Sequence, residues 1–427
     1  MSSPISSRPG IRTRLRDIAR LAFSAGFSHT AALLALPLLQ RFCYGPAAFA
    51  DMAAYTQVVG IMGAVATLRM DLALVKQSEA TAAKATANEG LRFLFLTTGL
   101  AALLPWLLKA YGFDAGNIPL IWIWLPLGVL ALGINGLVSG WLSREERFGH
   151  LAGVRAGGGV AGEVMRFAAA PMGHAGLIAG RIAGQCLSAL AGISMVWKGW
   201  REAGPEIPSV RKEVWKKNRN YARFTAPANI LAMAANGLFI LYLFEVCPSD
   251  FVGKVGAGMA YLTVGAGLII RSVSDVFFKH LDDIPGAALC RHYLAWASGL
   301  IILASAGIST LWIVQDSWVI QWLGEGWAGM LNIMRIIALW MVPWIAGSSL
   351  SVVFPHLGLQ SWTLKLDFLH LVMIAGLIGF TQSQTSAAML TETEALQFLM
   401  RYTALQAGFY VMALAMGIVA TGRKTSD

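Results

Sequence analysis

The chain has 427 residues, of which 56% are hydrophobic and only 13% charged, and its mean hydropathy is +0.60. A soluble domain carries about 25% charged residues, so this composition excludes disorder, a secreted disulfide scaffold and an ordinary soluble enzyme. The net charge of +10 suggests nucleic acid only until the basic residues are placed: most lie in short segments between apolar runs, the pattern that orients a chain in a membrane.

A helix crossing the bilayer needs roughly 20 apolar residues. Six such runs are predicted at 18–40, 51–75, 91–108, 119–142, 151–172 and 176–197. After a polar stretch, six more follow at 222–244, 252–278, 293–314, 328–354, 364–382 and 398–420. The expected fold class is an all-α membrane protein of about twelve transmembrane helices. The first run is too long for a signal-peptide core and reads as a retained span. With the N-terminus in the cytoplasm, 23 Lys and Arg fall inside and 4 outside, and six more lie within spans. That asymmetry predicts both termini in the cytoplasm. Segment 201–221 is expected to be a cytoplasmic linker between an N-terminal six-helix half, 1–200, and a C-terminal half, 222–427. Its basic residues are explained by topology or by contact with anionic membrane lipid.

The two halves resemble each other. IARLAFSAGF at 18 lies against YARFTAPANI at 221, PAAFADMAAY at 46 against PSDFVGKVGA at 248, and VATLRMDLALVK at 65 against GLIIRSVSDVFFK at 267. The matches Phe49 with Phe251 and Arg69 with Arg271 share an offset of 202. An offset spanning six helices makes the halves parallel repeats, which in transporters place a substrate site between them and let one half rock on the other.

An ionised side chain at mid-bilayer costs roughly 2.5–3.5 kcal/mol on insertion scales, so charges inside spans should pair or line a wet cavity. The fifth span carries Arg155, Glu163 and Arg166. At about 100° per residue, Arg155 and Arg166 differ by about 20° around the helix and Glu163 lies about 80° from Arg155, so all three point to one side. Glu163 and Arg166, three residues apart, are positioned to pair, which leaves Arg155 without a local anion. Gly157, Gly158, Gly159 and Gly162 allow another helix or a ligand to approach closely. Arg181, between Gly180 and Gly184, is expected to reach the same space. Arg69 with Asp71, and Arg271 with Asp275, lie near the cytoplasmic ends of the second and eighth spans and are candidates for a shared gate. Arg335, early in the tenth span, is a candidate outer-cavity cation. The competing reading of these groups is a structural salt-bridge network, or snorkelling to the interface.

No catalytic residue and no metal site is expected. The four cysteines, Cys43, Cys186, Cys247 and Cys290, are too few and scattered for a disulfide framework, and no Cys or His cluster has metal-ligand spacing. Pro37, Pro227 and Pro343 fall inside spans and are expected to bend them.

PLLQRFCYGPAAFADMAAYTQVVGIMGAVATLRMDLALVK (37–76) resembles the start of the Wzx-type O-antigen flippases of polysaccharide export. YARFTAPANILAMAANGL (221–238), WLGEGWAGMLNIMR (322–335) and GLIAGRIAGQ (176–185) are similar to later parts of that family. The second half departs from the pattern, with its acid four residues after Arg271 instead of two. The resemblance implies the fold of the multidrug/oligosaccharidyl-lipid/polysaccharide exporter superfamily and a place in the bacterial inner membrane. It implies a role in lipopolysaccharide or exopolysaccharide biosynthesis, moving undecaprenyl-diphosphate-linked oligosaccharide between leaflets by alternating access. No cofactor follows from it beyond coupling to a proton or sodium gradient, with Glu163 as candidate carrier. The partners it implies are the lipid-linked oligosaccharide, membrane lipid and polysaccharide-assembly proteins. Two alternatives stay open. A drug or metabolite exporter of the same superfamily would favour an acidic cavity. A membrane-embedded glycan polymerase or ligase would need a large outer loop, and the longest, about 383–397, has no Arg, His or Trp.

Overall fold

The computed structural model describes residues 11–110, 119–281, 284–384 and 389–423, with side chains left out at 11–25, 108–110, 119–122, 224, 275, 279–280, 286–287, 360 and 423. Sixteen α-helices and no strand occur among the described residues. They are α1 (Ile11–Phe42), α2 (Pro46–Gly63), α3 (Met70–Val75), α4 (Ala80–Ala110), α5 (Pro119–Arg144), α6 (Phe148–Ala168), α7 (His174–Glu202) and α8 (Pro208–Asn220), followed by α9 (Ala226–Val246), α10 (Ser249–His280), α11 (Gly286–Ser309), α12 (Asp316–Leu323), α13 (Met330–Leu350), α14 (Val353–His356), α15 (Gln360–Gln384) and α16 (Glu392–Arg423). Among the described residues nine stretches, built on α4, α5, α7, α9, α10, α11, α13, α15 and α16, are long and apolar enough to cross a membrane. The helices α1, α2 with α3, and α6 complete the twelve runs expected from the sequence. Large apolar side chains such as Phe95, Trp106, Ile123, Ile302 and Leu339 point outward, as a lipid-facing surface requires. The chain is an all-α, multi-pass membrane protein.

Two groups of helices pack among themselves. In the first, α6 lies against α7 and α1, and α5 against α4 and α7; in the second, α13 lies against α10, α11 and α16, and α9 against α15. The groups meet chiefly where α2 packs on α9 and α10. That contact depends on absent side chains. Gly253 of α10 sits on the Pro46 backbone, and Gly256 sits against the Ala53 methyl. Around it Leu39, Tyr44, Ala48, Phe49 and Leu177 share a buried cluster with Ala257, Trp327 and Met330. Phe49 and Trp327 meet edge to face, with centroids 5.2 Å apart. The bundle is therefore sealed at the end carrying Pro46. The opposite end carries α8, the start of α1 and the end of α16.

Three local features differ from the simple run of spans. The second span, expected as one helix over 51–75, is broken into α2 and α3 by Leu68 (φ 47°) and Arg69 (φ 61°), both left-handed. The second is Tyr221–Thr225, a π-helical turn in which the Ala226 N–H reaches back to the Tyr221 carbonyl. Pro227 explains it: proline has no N–H for the Arg223 carbonyl and its ring crowds that group, so the turn widens. Finally, the polar segment after α7 contains a helix, α8, fastened to α4. Asn88 Nδ2 donates to Glu206 at 2.8 Å, Arg92 bonds both Glu206 oxygens at 3.0 and 3.1 Å, and Arg211 pairs with Glu89. Val214 and Asn218 of α8 are buried beneath this clasp.

Candidate functional site

Helix α6 is the axis of the site. A Cβ at Gly158 would meet Ser188 of α7 at 2.6 Å, and one at Gly159 would meet Ser28 of α1 at 2.9 Å. Gly162 lies directly on Gly184 of α7, and Gly180 on the backbone at Arg166. The glycines thus let α6 lie close between α1 and α7, the small-residue packing familiar in membranes, and this fixes where its charges go.

Near the Pro46 end, one Nη of Arg166 donates to both carboxylate oxygens of Glu163 at 2.8 Å, with the two side chains only 12% and 13% exposed. The Tyr44 hydroxyl donates to the Arg166 carbonyl at 2.6 Å, while Arg166 Nε is buried with no partner among the described residues. Arg181 of α7 lies within the fields of Arg166, Glu163 and Tyr55 and forms no hydrogen bond or ion pair with a described residue. The Tyr55 hydroxyl and the Gln185 side-chain oxygen are also buried, with no hydrogen-bond partner among the described residues.

Arg155 lies eleven residues back along α6, about 16 Å towards the α8 end. It is exposed, and its charge is repelled by that of Arg271 on α10. These two guanidinium groups come from different halves of the sequence, and neither has an ion-pair partner among the described residues. Arg69 caps α3 in a left-handed conformation, with its Nε buried and without a hydrogen-bond partner among the described residues. It does not pair with Asp71, which accepts a 2.8 Å hydrogen bond from the Thr67 hydroxyl. Arg335 donates to the carbonyls of Leu311 at 3.2 Å and Val314 at 2.8 Å, tying α13 to the end of α11. Asp275 lies on α10, with its side chain outside the described residues.

A cleft of about 430 Å³ joins two of these groups. Asp71 from α3, Asn135, Ser139 and Ser143 from α5, Arg155 from α6 and Ser188 from α7 supply its polar lining. The α5 contribution had a sequence signal: Asn135, Ser139 and Ser143 recur every four residues through an otherwise apolar run, so they form one polar stripe. Among the described residues no group of three His, Cys, Asp or Glu is gathered as a metal site. The chemistry on offer is anion binding: Arg69, Arg155, Arg181 and Arg271 are four guanidinium groups without carboxylate partners among the described residues.

The fold is that of the multidrug/oligosaccharidyl-lipid/polysaccharide (MOP) superfamily transporters. An inward-facing multidrug-resistance MATE transporter of that superfamily superposes with a TM-score of 0.66 at 13% identity, covering 96% of this chain and 99% of its own. The lipid II flippase MurJ, in an inward closed conformation, gives 0.65 at 12% identity, covering 94% and 86%. A MOP-superfamily transporter from Pyrococcus furiosus, described as having a binding pocket of reverse polarity, gives 0.55 at 12% identity over 96% of each chain. No protein-family model and no curated protein sequence matches the chain.

Proposed function

We propose that the protein flips a lipid-linked, anionic glycan across the bacterial inner membrane by alternating access, the cargo class being undecaprenyl-diphosphate-linked oligosaccharide. The observation that carries this reading is that Arg155 lies in the field of Arg271, from the other half of the sequence, and that neither has a carboxylate partner among the described residues. Like charges held near one another repel; a diphosphate entering between them removes that repulsion. MurJ, whose fold this chain shares, is a lipid II flippase, so the fold is compatible with a lipid-linked cargo.

In this reading the halves 1–200 and 222–427 rock about the linker 201–221. The sealed Pro46 end and the accessible Arg155 and Arg271 correspond to a state open to the cytoplasm, with both termini on that side. The headgroup binds Arg155 and Arg271 first, with Arg69 beside them, and then advances along α6 towards Arg166 and Arg181. Glu163 is the carboxylate suited to carry a coupling proton, because protonating it releases Arg166. Asp71, Asp275 and Arg335 act at the ends of this path, shaping its gates rather than holding the diphosphate.

The test is complementation of a deletion strain. Wild-type protein restores surface glycan and clears the lipid-linked intermediate; Arg155→Glu and Arg271→Glu, at equal membrane abundance, do neither. Normal surface glycan with both variants overturns the proposal.

A further inference from the structure

The cleft between α3, α5, α6 and α7 contains groups with no structural task. Asn135 and Ser188 form its fixed wall: Asn135 Nδ2 donates to the carbonyls of Ala131 and Gln185 at 2.9 and 3.0 Å, and Ser188 Oγ donates to Asn135 Oδ1 at 3.0 Å. The hydroxyls of Ser139 and Ser143 differ. A serine inside a helix ordinarily bonds back to a carbonyl of the preceding turn, yet neither forms a hydrogen bond with a described residue. Asp71 uses Oδ1 to accept from Thr67, and its Oδ2 has no hydrogen-bond partner among the described residues. Gly136, one turn before Gly140, leaves the floor of the cleft empty: a Cβ there would stand 3.8 Å from the Asp71 Cβ.

We propose that this cleft is the subsite for the sugar residues next to the diphosphate. The inference rests on the flippase reading above and adds the place where the glycan is recognised. Two open hydroxyls and an open carboxylate oxygen offer donors and acceptors together, which is what a polyhydroxylated ring needs. The volume, about 430 Å³, lies in the range of small-molecule pockets, roughly 300–1,000 Å³, and is far too large for a bare cation. Arg155 on the rim repels a cation and attracts a phosphate. A ligand anionic at one end and hydroxyl-rich at the other matches this order of groups. The cleft lies wholly within the first group of helices, so the glycan travels with that half while the diphosphate bridges both.

The experiment measures binding to purified full-length protein by native mass spectrometry. The two probes are the lipid-linked oligosaccharide extracted from the deletion strain and sugar-free undecaprenyl diphosphate. Wild type should prefer the glycan-bearing probe at least tenfold, about what two neutral hydrogen bonds supply. The double variant Ser139→Ala/Ser143→Ala, and separately Gly136→Leu, which fills the cleft, should reduce that preference below threefold and leave undecaprenyl diphosphate binding unchanged. Arg155→Glu should weaken both probes. Equal wild-type affinity for the two probes, or variants that retain the tenfold preference or weaken both probes alike, overturns the sugar subsite alone. Failure of wild type to bind either probe overturns the flippase reading and the subsite together.

Discussion

Pro46 and Gly253 meet across the boundary between the two halves so closely that a methyl group on Gly253 would overlap the Pro46 carbonyl oxygen. The neighbouring step is nearly as tight, with a Cβ at Gly256 only 2.7 Å from that of Ala53. The seal at this end of the bundle is thus a backbone-to-backbone contact, with the Phe49–Trp327 pair beside it. Gly253→Val should cost about 1–3 kcal/mol through overpacking and lower the melting temperature in detergent. Gly60→Ala is the control: it lies in α2 with nothing within 4 Å and should gain about 0.5–1 kcal/mol from helix propensity. Equal melting temperatures for the two variants would show that this contact does not hold the seal.

Arg155 and Arg271 repel each other, so reversing either charge should attract the other. Arg271→Glu is expected to raise thermal stability by less than about 1 kcal/mol, as for an exposed pair, while abolishing complementation. Combining it with Arg155→Glu should remove the stabilisation, because the charges are alike again, and should not restore transport. A gain in stability accompanied by normal transport would separate this pair from the cargo path.

Glu163 and Arg166 are nearly enclosed. Glu163→Ala leaves a guanidinium without its only carboxylate partner among the described residues and should cost roughly 2 kcal/mol. Replacing both residues by methionine should recover most of that loss, as apolar replacements of enclosed ion pairs do. The informative case is the double variant in the complementation assay. Recovered stability without recovered surface glycan would mean that the pair serves translocation; recovery of both would make it structural.

Glu206 gives a pH signature at the clasp on the α8 side. Burial raises its carboxyl, the largest single effect, but hydrogen bonds from Asn88 and Arg92 and the charges of Arg92 and Arg211 together outweigh it and hold the carboxyl below its ordinary value. A carboxyl lowered on folding stabilises the fold above its unfolded pKa, and the benefit disappears as pH falls through the lower folded value. The melting temperature of wild type should therefore exceed that of Glu206→Gln near neutral pH, and the difference should shrink as acid carries the solution below the ordinary carboxylate range. A difference that grows in acid would contradict the sign.

The amino-acid sequence by itself determined whatever depends on neighbours along one chain. Apolar runs of bilayer length fixed an all-α membrane protein, spacing by three placed Glu163 beside Arg166, and Pro227 disturbed its helix where a missing N–H requires it. The break at Leu68 and Arg69 and the fastening of α8 to α4 were not legible in this way. Nor was the use of Arg335, whose guanidinium ties down the carbonyls of Leu311 and Val314. Tertiary structure alone decided that Arg155 lies in the field of Arg271, 116 positions away, and that Ser139 and Ser143 open onto the same cleft as Asp71. Hydropathy and periodicity record which side of a helix avoids water, but not which helix lies opposite. That choice is made where Gly180, Gly184 and Gly253 let backbones touch, and it depends on the shapes of two surfaces at once.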